Sequence, residues 1–285
     1  MRKPDGPNPD RDGGERPRLD HELATARALL RAAARIVVLT GAGVSAESGV
    51  PTFRGAQGLW RSFRPEELAT PEAFAREPRL VWEWYTWRRD LVAGCAPNAA
   101  HRALAALAAD HPDVRLVTQN VDGLHERAAE ELIRERARQG SPVPPAALEA
   151  LHPVELHGSI LRARCVDCGE RSVDAGSAPH PGMAATPGTL PTCSCGGLLR
   201  PDVVWFGEML DATDLAAASD AAARADLCLV VGTSAVVYPA AGLARLTHEA
   251  GGAVIEVNPE TTPLSAIAAV TLRGAAAELV PALVG

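Results

Sequence analysis

The stretch from Arg35 to Gly55 limits the possible folds of this chain more than any other part of the sequence. Ile36–Leu39 is a short apolar run, mostly β-branched, as expected of a strand that is buried on both faces. Gly41 and Gly43 follow directly, and Ala46 completes the Gly-x-Gly-x-x-Ala pattern of dinucleotide-binding turns. Glycines allow the backbone to approach a ligand closely, and free N–H groups at such a turn can face a pyrophosphate. The pattern predicts a nucleotide site, although a tight structural turn would use the same glycines.

The residues after these glycines do not continue as in an ordinary dinucleotide-binding domain. Such a domain runs from a helix into a second strand, with an acidic residue for the ribose about 20 positions further on. Here Pro51 ends any helix early, and the chain continues through Thr-Phe-Arg-Gly without an apolar strand. The sequence therefore predicts a variant nucleotide site that an arm of the chain covers.

The run GAGVSAESGVPTFRG at residues 41–55 resembles the cofactor-binding signature of the sirtuins, the NAD-dependent protein deacylases. Roughly residues 35–285 share the resemblance, and the family's further motifs follow in order: Gln-Asn-Val-Asp at 119–122, His-Gly at 157–158, Gly-Thr-Ser at 232–234 and Asn258. The chain is most similar to the desuccinylase and demalonylase class. It departs from the family in a longer stretch at residues 128–153 and in one shortened cysteine pair.

Composition limits the classes of function that the chain can have. Its 285 residues, of which 47% are hydrophobic, are enough for one large core and a small satellite domain. A net charge of −7 argues against a protein that binds nucleic acid by neutralising phosphates, including a zinc ribbon of that kind. No apolar run reaches the length of a membrane span, and the N-terminus lacks an apolar signal core. We therefore expect a cytoplasmic protein with neither membrane nor nucleic acid as a direct partner.

The order of apolar strands and helices predicts an α/β fold, a doubly wound parallel sheet that is Rossmann-like and carries two insertions. Strands are expected at residues 36–39, 114–118, 154–157, 227–231, 253–257 and 268–272. Residues 1–18 read as a disordered tail, and Asp20 can cap the first helix. Residues 19–285 form the predicted catalytic domain, with its core at 19–58, 91–160 and 200–285, a helical aromatic insertion at 59–90 and a zinc-binding module at 161–199.

Four of the six cysteines fall into two tight pairs, Cys165-x-x-Cys168 and Cys193-x-Cys195. Two such pairs, brought together by the fold, can supply the four thiolates of a zinc site. The second pair is one residue shorter than usual, and two disulfides or unliganded thiols are the alternatives. The resemblance implies one structural Zn²⁺ here, while the other two cysteines, Cys95 and Cys228, read as core residues.

His157 lies at a predicted strand end, where a histidine can act as a general base near neutral pH. The resemblance makes His157 and Asn120 catalytic, and an amide with a carboxylate, as in Asn120 and Asp122, can bind a carboxamide in both directions. It implies a cofactor site formed by Gly41, Ala42, Gly43, Ser45, Phe53, Arg54, Gln119, Asn120, Asp122, Gly232, Thr233, Ser234, Asn258 and Ala276. Taken alone, His157 could be a hydrogen-bonded core histidine. Helix caps are the alternative for Asn120, Asp122, residues 232–234 and Asn258, and we do not include His125.

Tyr85 and Arg88 are three residues apart on a predicted helix, so their side chains share a face. A hydroxyl beside a guanidinium can bind a carboxylate, and the small Ala69 leaves room for a longer acyl chain. All three resemble positions of the desuccinylase class, while the loop Val204, Trp205, Phe206 and Gly207 resembles the one that pairs with an acyl-lysine peptide.

The resemblance implies NAD-dependent removal of acyl groups, namely succinyl, malonyl and also acetyl, from lysines of proteins or peptides. The acyl oxygen attacks the ribose carbon of NAD as nicotinamide leaves, and His157 accepts a proton from a ribose hydroxyl. The products are lysine, nicotinamide and an acyl-ADP-ribose. ADP-ribosyl transfer to a protein and non-catalytic sensing of NAD are the alternatives.

Overall fold

The computed structural model describes residues 12–52, 64–111, 113–172 and 190–285. Within these ranges the strands are β1 Ile36–Thr40, β2 Val114–Thr118, β3 Val154–Glu155, β4 Gly158–Cys165, β5 Arg171–Ser172, β6 Leu199–Val203, β7 Leu227–Val231, β8 Ala253–Val257 and β9 Val270–Leu272. The α-helices are α1 Asp12–Ala32, α2 Pro65–Leu68, α3 Pro71–Arg76, α4 Pro78–Ala93, α5 Ala99–Asp110, α6 Leu124–Arg138, α7 Pro145–Leu151, α8 Ala212–Arg224, α9 Leu243–Glu249 and α10 Ala276–Val284. A 3-10 helix over Ala42–Ser48 follows β1, and a second one over Ala240–Gly242 precedes α9.

In the described part of the chain, the parallel strands form one sheet in the order β3–β2–β1–β7–β8–β9. All five residues of β1 and of β7 are buried, because each strand is paired on both edges and covered on both faces. The chain reverses its progress across the sheet between β1 and β7. Ligands of doubly wound sheets bind at such a switch point, outside the carboxyl ends of the strands. The predicted doubly wound α/β fold is confirmed.

Helices cover both faces of this sheet. On one face, α1, α5 and α10 contribute apolar residues to a core that contains Leu104 and Leu279. On the other face, α8 and α9 pack through Ala218, Ala222 and Leu243. The longer stretch at residues 128–153 contributes to the first core through α7, where Ala147 and Leu151 are buried.

The N-terminal helix differs from its prediction. α1 begins at Asp12, so residues 12–18 of the predicted tail are helical and Asp20 lies inside the helix instead of capping it. The proline at position 17 removes one backbone hydrogen bond, while an ion pair between Arg18 and Glu22 at i,i+4 supports this turn. Further along, Arg27 donates to the carbonyl of Ala282 at 2.8 Å and so ties α1 to α10. Residues 1–11 of the predicted tail lie outside the described residues.

The two predicted insertions pack against each other and share a core. Helices α2, α3 and α4 form the helical one, and β5–β4–β6 form a small antiparallel sheet in the other. Trp82 of α4 is buried between them and donates from its indole to Leu199 O at 2.9 Å. Arg89 of α4 donates to the carbonyls of Ile160 and Arg162 in β4. The small sheet extends beyond the predicted module, from Gly158 to Val203, while the domain boundaries as such remain a prediction.

Two strands are shorter than their predictions. β9 starts at Val270, and β3 ends at Glu155 because the chain turns out of the sheet after Leu156. Over the described ranges, no helix has both the length and the apolar character that crossing a bilayer requires.

Candidate active site

A cavity of about 550 Å³ lies at the switch point of the sheet, where the loops after β1, β2, β7 and β8 meet both insertions. The predicted cofactor and catalytic residues that line it are Gly41, Ala42, Gly43, Gln119, Asn120, His157, Gly232, Thr233, Ser234, Asn258 and Ala276. The predicted substrate residues Ala69, Tyr85, Arg88, Val204, Trp205, Phe206 and Gly207 line it as well. Phe53 and Arg54 lie outside the described residues. Ser45 and Asp122 are buried behind the lining instead of forming it.

The glycines of the first motif permit a close contact between two loops. A Cβ on Gly43 would lie 2.7 Å from Gly232 O, and a Cβ on Gly232, which has φ +60°, would lie 2.4 Å from Val44 N. The N–H of Gly43 donates to Gly232 O at 2.8 Å, and that of Gly41 donates to Val231 O at 3.0 Å. The N–H groups of Gly41 and Gly43 are thus used within the protein, and the binding of a pyrophosphate by other free N–H groups of this turn stays a prediction. The two glycines join the loop after β1 to the loop after β7 and so shape the cavity floor.

His157 is a candidate general base whose orientation is determined by a backbone carbonyl. Its Nδ1 lies 3.0 Å from Gln119 O, and because a carbonyl only accepts, Nδ1 carries the proton. In the neutral ring Nε2 then has the free electron pair. Burial lowers the pKa of His157, and the bond to Gln119 opposes this only in part. Gly158 follows with φ +74°, where a Cβ would meet Asp202 O at 2.1 Å, so only glycine allows the turn that leaves His157 at the cavity.

A buried hydroxyl connects the predicted nicotinamide residues. Ser45 Oγ donates to Asp122 Oδ2 at 2.8 Å and accepts from Asn120 Nδ2 at 3.1 Å. His101 Nδ1 accepts from the backbone N–H of Asn98, so its Nε2, 3.3 Å from Ser45 Oγ, is the donor. Burial lowers the pKa of His101 to about 4, which keeps this ring neutral.

Asp122 is restrained on both oxygens, because its Oδ1 accepts from the N–H of Leu124 at 3.0 Å at the start of α6. Burial raises the pKa of Asp122, and these hydrogen bonds oppose that shift. Gly123 is the N-cap of α6, so Asp122 supports the helix start from the preceding position, close to the capping alternative, and it also holds Ser45. A direct contact of Ser45 or Asp122 with the cofactor stays a prediction.

A second buried histidine supports the backbone of the same segment. His125 Nε2 lies 3.0 Å from Thr40 Oγ1, which is 2.8 Å from Thr118 Oγ1. Thr118 Oγ1 accepts the N–H of Asn120 at 3.0 Å. The rings of His125 and His101 lie 4.7 Å apart, and burial lowers the pKa of His125 well below its ordinary value.

The far end of the cavity is formed by the loops after β7 and β8. Gln119 Nε2 donates to Thr233 Oγ1 at 3.0 Å, and Asn258 Nδ2 donates to Thr233 O at 2.7 Å. Asn258 Oδ1 accepts from the N–H of Glu260 at 3.2 Å, so its side chain braces both loops. Ser234 and Ala276 line this end, the latter in the first turn of α10.

Tyr85 and Arg88 of α4 lie together in the wall of the cavity, as the spacing predicted. Both side chains are buried, and Ala69 adds a small side chain to the same wall. The Arg88 guanidinium lies 4.8 Å from the centre of the Trp84 ring, a cation–π distance. Burial lowers the pKa of Arg88 and raises the pKa of Tyr85.

The loop after β6 is held at both ends. Val204 N donates to His157 O at 2.9 Å, and Phe206 N donates to Ala69 O at 3.0 Å. Directly after the loop, the carboxylate of Glu208 accepts hydrogen bonds from both terminal nitrogens of the Arg200 guanidinium. It also accepts one from the backbone N–H of Trp205 at 2.8 Å. The predicted substrate loop therefore contacts the strand end of His157 and Ala69, which was predicted for the acyl pocket, directly.

The four paired cysteines come together as predicted, with all their sulfurs within 4.8 Å of one another. Cys165 Sγ lies 3.5 Å from Cys195 Sγ, and Cys168 Sγ lies 3.7 Å from Cys193 Sγ. Disulfides would need about 2.05 Å, whereas four thiolates at about 2.3 Å from one zinc ion stand about 3.8 Å apart. The cluster fits a tetrahedral structural zinc, and four thiolates leave no open position for catalysis. Cys228 is buried in the core as predicted, while Cys95 is only half-buried.

Comparison with known proteins agrees with this arrangement. The family model described as the Sir2 family matches residues 41–138 and 146–239. The chain belongs to the Sir2 family, the sirtuins. The matched ranges omit residues 139–145, which lie in the stretch that the sequence marked as unusually long.

Curated relatives of this sirtuin are named NAD-dependent protein deacylases. The one from Aquifex aeolicus is 49% identical over 234 residues, which cover 82% of this chain and 87% of the relative. The one from Mycobacterium tuberculosis is 49% identical over 251 residues, which cover 87% and 96%.

Solved structures of sirtuins resemble the whole fold. A Sir2 homologue in complex with NAD has a TM-score of 0.73 at 45% identity, over 93% of this chain and 92% of that one. A Sir2 protein with a p53 peptide and NAD⁺ has a TM-score of 0.68 at 29% identity, over 89% and 93%.

Several functional candidates of this sirtuin were missed by the sequence reasoning. His101 and His125 lie behind the predicted nicotinamide residues, and Arg200 with Glu208 supports the predicted substrate loop. The one available signal was Asn98 three residues before His101, because the two form a capping box at the start of α5. Nothing near the other residues indicated their partners.

Proposed function

We propose that this sirtuin is an NAD-dependent protein-lysine deacylase that prefers acyl groups bearing a carboxylate, succinyl and malonyl, over acetyl. The main support for this proposal is that Tyr85 and Arg88 line the same cavity as His157 and Asn120. The base and the candidate carboxylate receptor thus face one space that an acyl-lysine can enter.

NAD is the co-substrate and supplies the electrophilic ribose carbon. The loops after β1, β7 and β8 are the surfaces for its binding, and Asn120, held by Ser45, faces the cavity as a ligand for the nicotinamide amide. His157 is oriented by Gln119 so that Nε2 can accept a proton from a ribose hydroxyl. Its lowered pKa keeps it unprotonated at neutral pH.

The acid-selective part of the proposal depends on the burial of Arg88. A buried guanidinium loses its hydration, and a ligand carboxylate that forms a bidentate pair with it offsets that loss. Tyr85, whose pKa is raised by burial, stays protonated and can donate a second kind of hydrogen bond to the same carboxylate. An acetyl group offers neither interaction.

Substitution of Arg88 tests the preference. A charged hydrogen bond of this kind is worth ~1.5–3 kcal/mol, so Arg88→Met should lower kcat/KM for a succinyl-lysine peptide by roughly one to two decades. The value for the matched acetyl-lysine peptide should change much less. Steady-state kinetics on both peptides measure these two changes. Mass analysis of the products distinguishes deacylation from ADP-ribosyl transfer.

Arg89→Met is the matched control. Arg89 is the next residue on α4, but its guanidinium donates to the carbonyls of Ile160 and Arg162 and does not line the cavity. Its loss should affect stability and leave the succinyl-to-acetyl ratio unchanged. A wild-type enzyme that ignores succinyl-lysine, or equal losses on both peptides in Arg88→Met, would contradict the proposed preference.

A further inference from the structure

Trp205 makes a direct hydrogen bond to the tyrosine of the acyl pocket. Its indole Nε1 lies 2.9 Å from the hydroxyl oxygen of Tyr85, and both side chains are buried and line the cavity. An indole nitrogen can only donate, so the direction of this bond is certain: Tyr85 is the acceptor.

This bond determines where the hydroxyl proton of Tyr85 can lie. In a phenol, the O–H bond lies near the ring plane on one side of the C–O axis, and the in-plane electron pair lies on the other. Because Trp205 occupies the acceptor side, the proton points to the opposite side. Among the described residues, Trp205 is the one hydrogen-bond partner of this hydroxyl. Tyr85 therefore presents a proton to the ligand, and an acyl carboxylate is an acceptor that suits it.

We infer that Trp205 is a specificity-determining residue: its indole N–H keeps the Tyr85 hydroxyl oriented as a donor to the carboxylate of an acidic acyl group beside Arg88. The inference rests on the proposed preference for acidic acyl groups. It assigns to Trp205 a function that differs from pairing with the peptide backbone, the role that the substrate loop has by resemblance.

The position of the indole is itself well determined. The Arg200 guanidinium lies 3.2 Å from the centre of the Trp205 ring, and the Phe74 ring centre lies 5.4 Å away. The N–H of Trp205 is bonded to Glu208, which also receives Arg200. These contacts involve the ring and the backbone and not the indole N–H, so an aromatic ring without an N–H can occupy the same place and still leave the Tyr85 hydroxyl free to rotate.

Trp205→Phe removes the indole N–H donor and keeps an aromatic ring at position 205. We expect the ratio of kcat/KM for succinyl-lysine to kcat/KM for acetyl-lysine to fall about tenfold, as for the weakening of one charge-assisted hydrogen bond. In a Tyr85→Phe background the same change should have no further effect on the ratio, because no hydroxyl is left to orient. The four enzymes of this double-mutant cycle are compared on matched peptides.

The outcomes separate this inference from the function on which it rests. A wild-type enzyme without desuccinylase activity overturns the proposed preference. An active wild type with an unchanged ratio in Trp205→Phe overturns the role of Trp205 alone, as does an equal fall of the ratio with and without the Tyr85 hydroxyl. Should Trp205→Phe fail to fold, 3-benzothienylalanine at position 205 keeps the shape of the indole without its donor, and the same ratio decides.

Discussion

At the scale of single residues, the site is built from side chains that are held in one orientation by neighbours from other elements. Asn120 is bonded to Ser45, and the backbone beside it is supported by Thr118. His157 is bonded to the carbonyl of Gln119, the residue before Asn120. The proposed base and the proposed nicotinamide ligand are thus both anchored through the segment of Gln119 and Asn120.

Loss of the base should stop turnover without preventing cofactor binding. His157→Ala is expected to lower kcat by ~10²–10⁴-fold, because a positioned general base is removed while the loops after β1, β7 and β8 remain. In the wild type, the acid limb of the rate profile should lie below the ordinary histidine pKa of 6.5, since burial lowers the pKa of His157. Rate profiles and calorimetric NAD titration measure both effects.

His21→Ala, a change of an exposed histidine on α1, serves as the control and should behave like the wild type. Near wild-type turnover in His157→Ala would disprove the assignment of the base. If His157→Ala lost NAD binding to the same extent as turnover, His157 would act in binding and not in proton transfer.

At the scale of elements, the helical insertion and the small antiparallel sheet stabilise each other across one shared core. Trp82, Trp84 and Tyr85 of α4 share a core with residues of β4 and β6, and the four-cysteine cluster lies at the other end of the small sheet. Tyr85 and Arg88 of the proposed acyl pocket lie on α4, and the predicted substrate loop follows β6. A change in the metal module therefore reaches the pocket through packing and not through chemistry at the metal.

The cluster should hold one zinc ion per chain, and its loss should act mainly on folding. Cys165→Ser removes a buried ligand, and we expect zinc loss with a clear fall in melting temperature, because a structural zinc contributes directly to the folding free energy. Elemental analysis and thermal melts measure this. Cys95→Ser, outside the cluster, should keep its zinc. A folded, active wild type without zinc would refute the assignment.

At the scale of the whole molecule, buried histidines link stability to pH. His101, His125 and His157 all have lowered pKa values because of burial, so the unfolded chain binds protons more readily at these sites than the folded one. The neutral histidines therefore contribute their full stabilisation of the folded state above pH 6.5, and this contribution is lost as the pH falls below that value. Glu155, whose pKa burial raises to about 6, acts in the opposite direction, because the folded state binds its proton first.

The free energy of unfolding should therefore fall on acidification from pH 6.5 towards pH 4. The lowered pKa of His101, about 4 against 6.5, corresponds to ~3 kcal/mol over this range. Denaturant titrations at several pH values should show a shallower loss in His101→Asn than in the wild type. His248→Asn, at an exposed position on α9, is the control and should follow the wild-type curve. If the free energy of unfolding fell equally steeply with pH in His101→Asn and His248→Asn, a neutral buried His101 would be contradicted.

The sequence by itself determined the features that neighbouring residues encode. The β-branched runs specified the central strands, the glycine pattern specified a nucleotide-type turn after β1, and the cysteine spacing specified a four-sulfur cluster. Tyr85 and Arg88 also share one face of α4, as their spacing predicts. Each of these depends on local sterics or on a period of a few residues, and such information is readable along the chain.

Only the tertiary structure decided which distant residues meet. The pairs Ser45 with His101 and Tyr85 with Trp205 cannot be read from the sequence, because each bond forms when separate elements close around one space. The same closure uses the N–H groups of Gly41 and Gly43 for a contact between two loops, which the glycine pattern did not indicate. Local patterns determine what a segment can form, whereas the burial of shared surface determines which segments face each other.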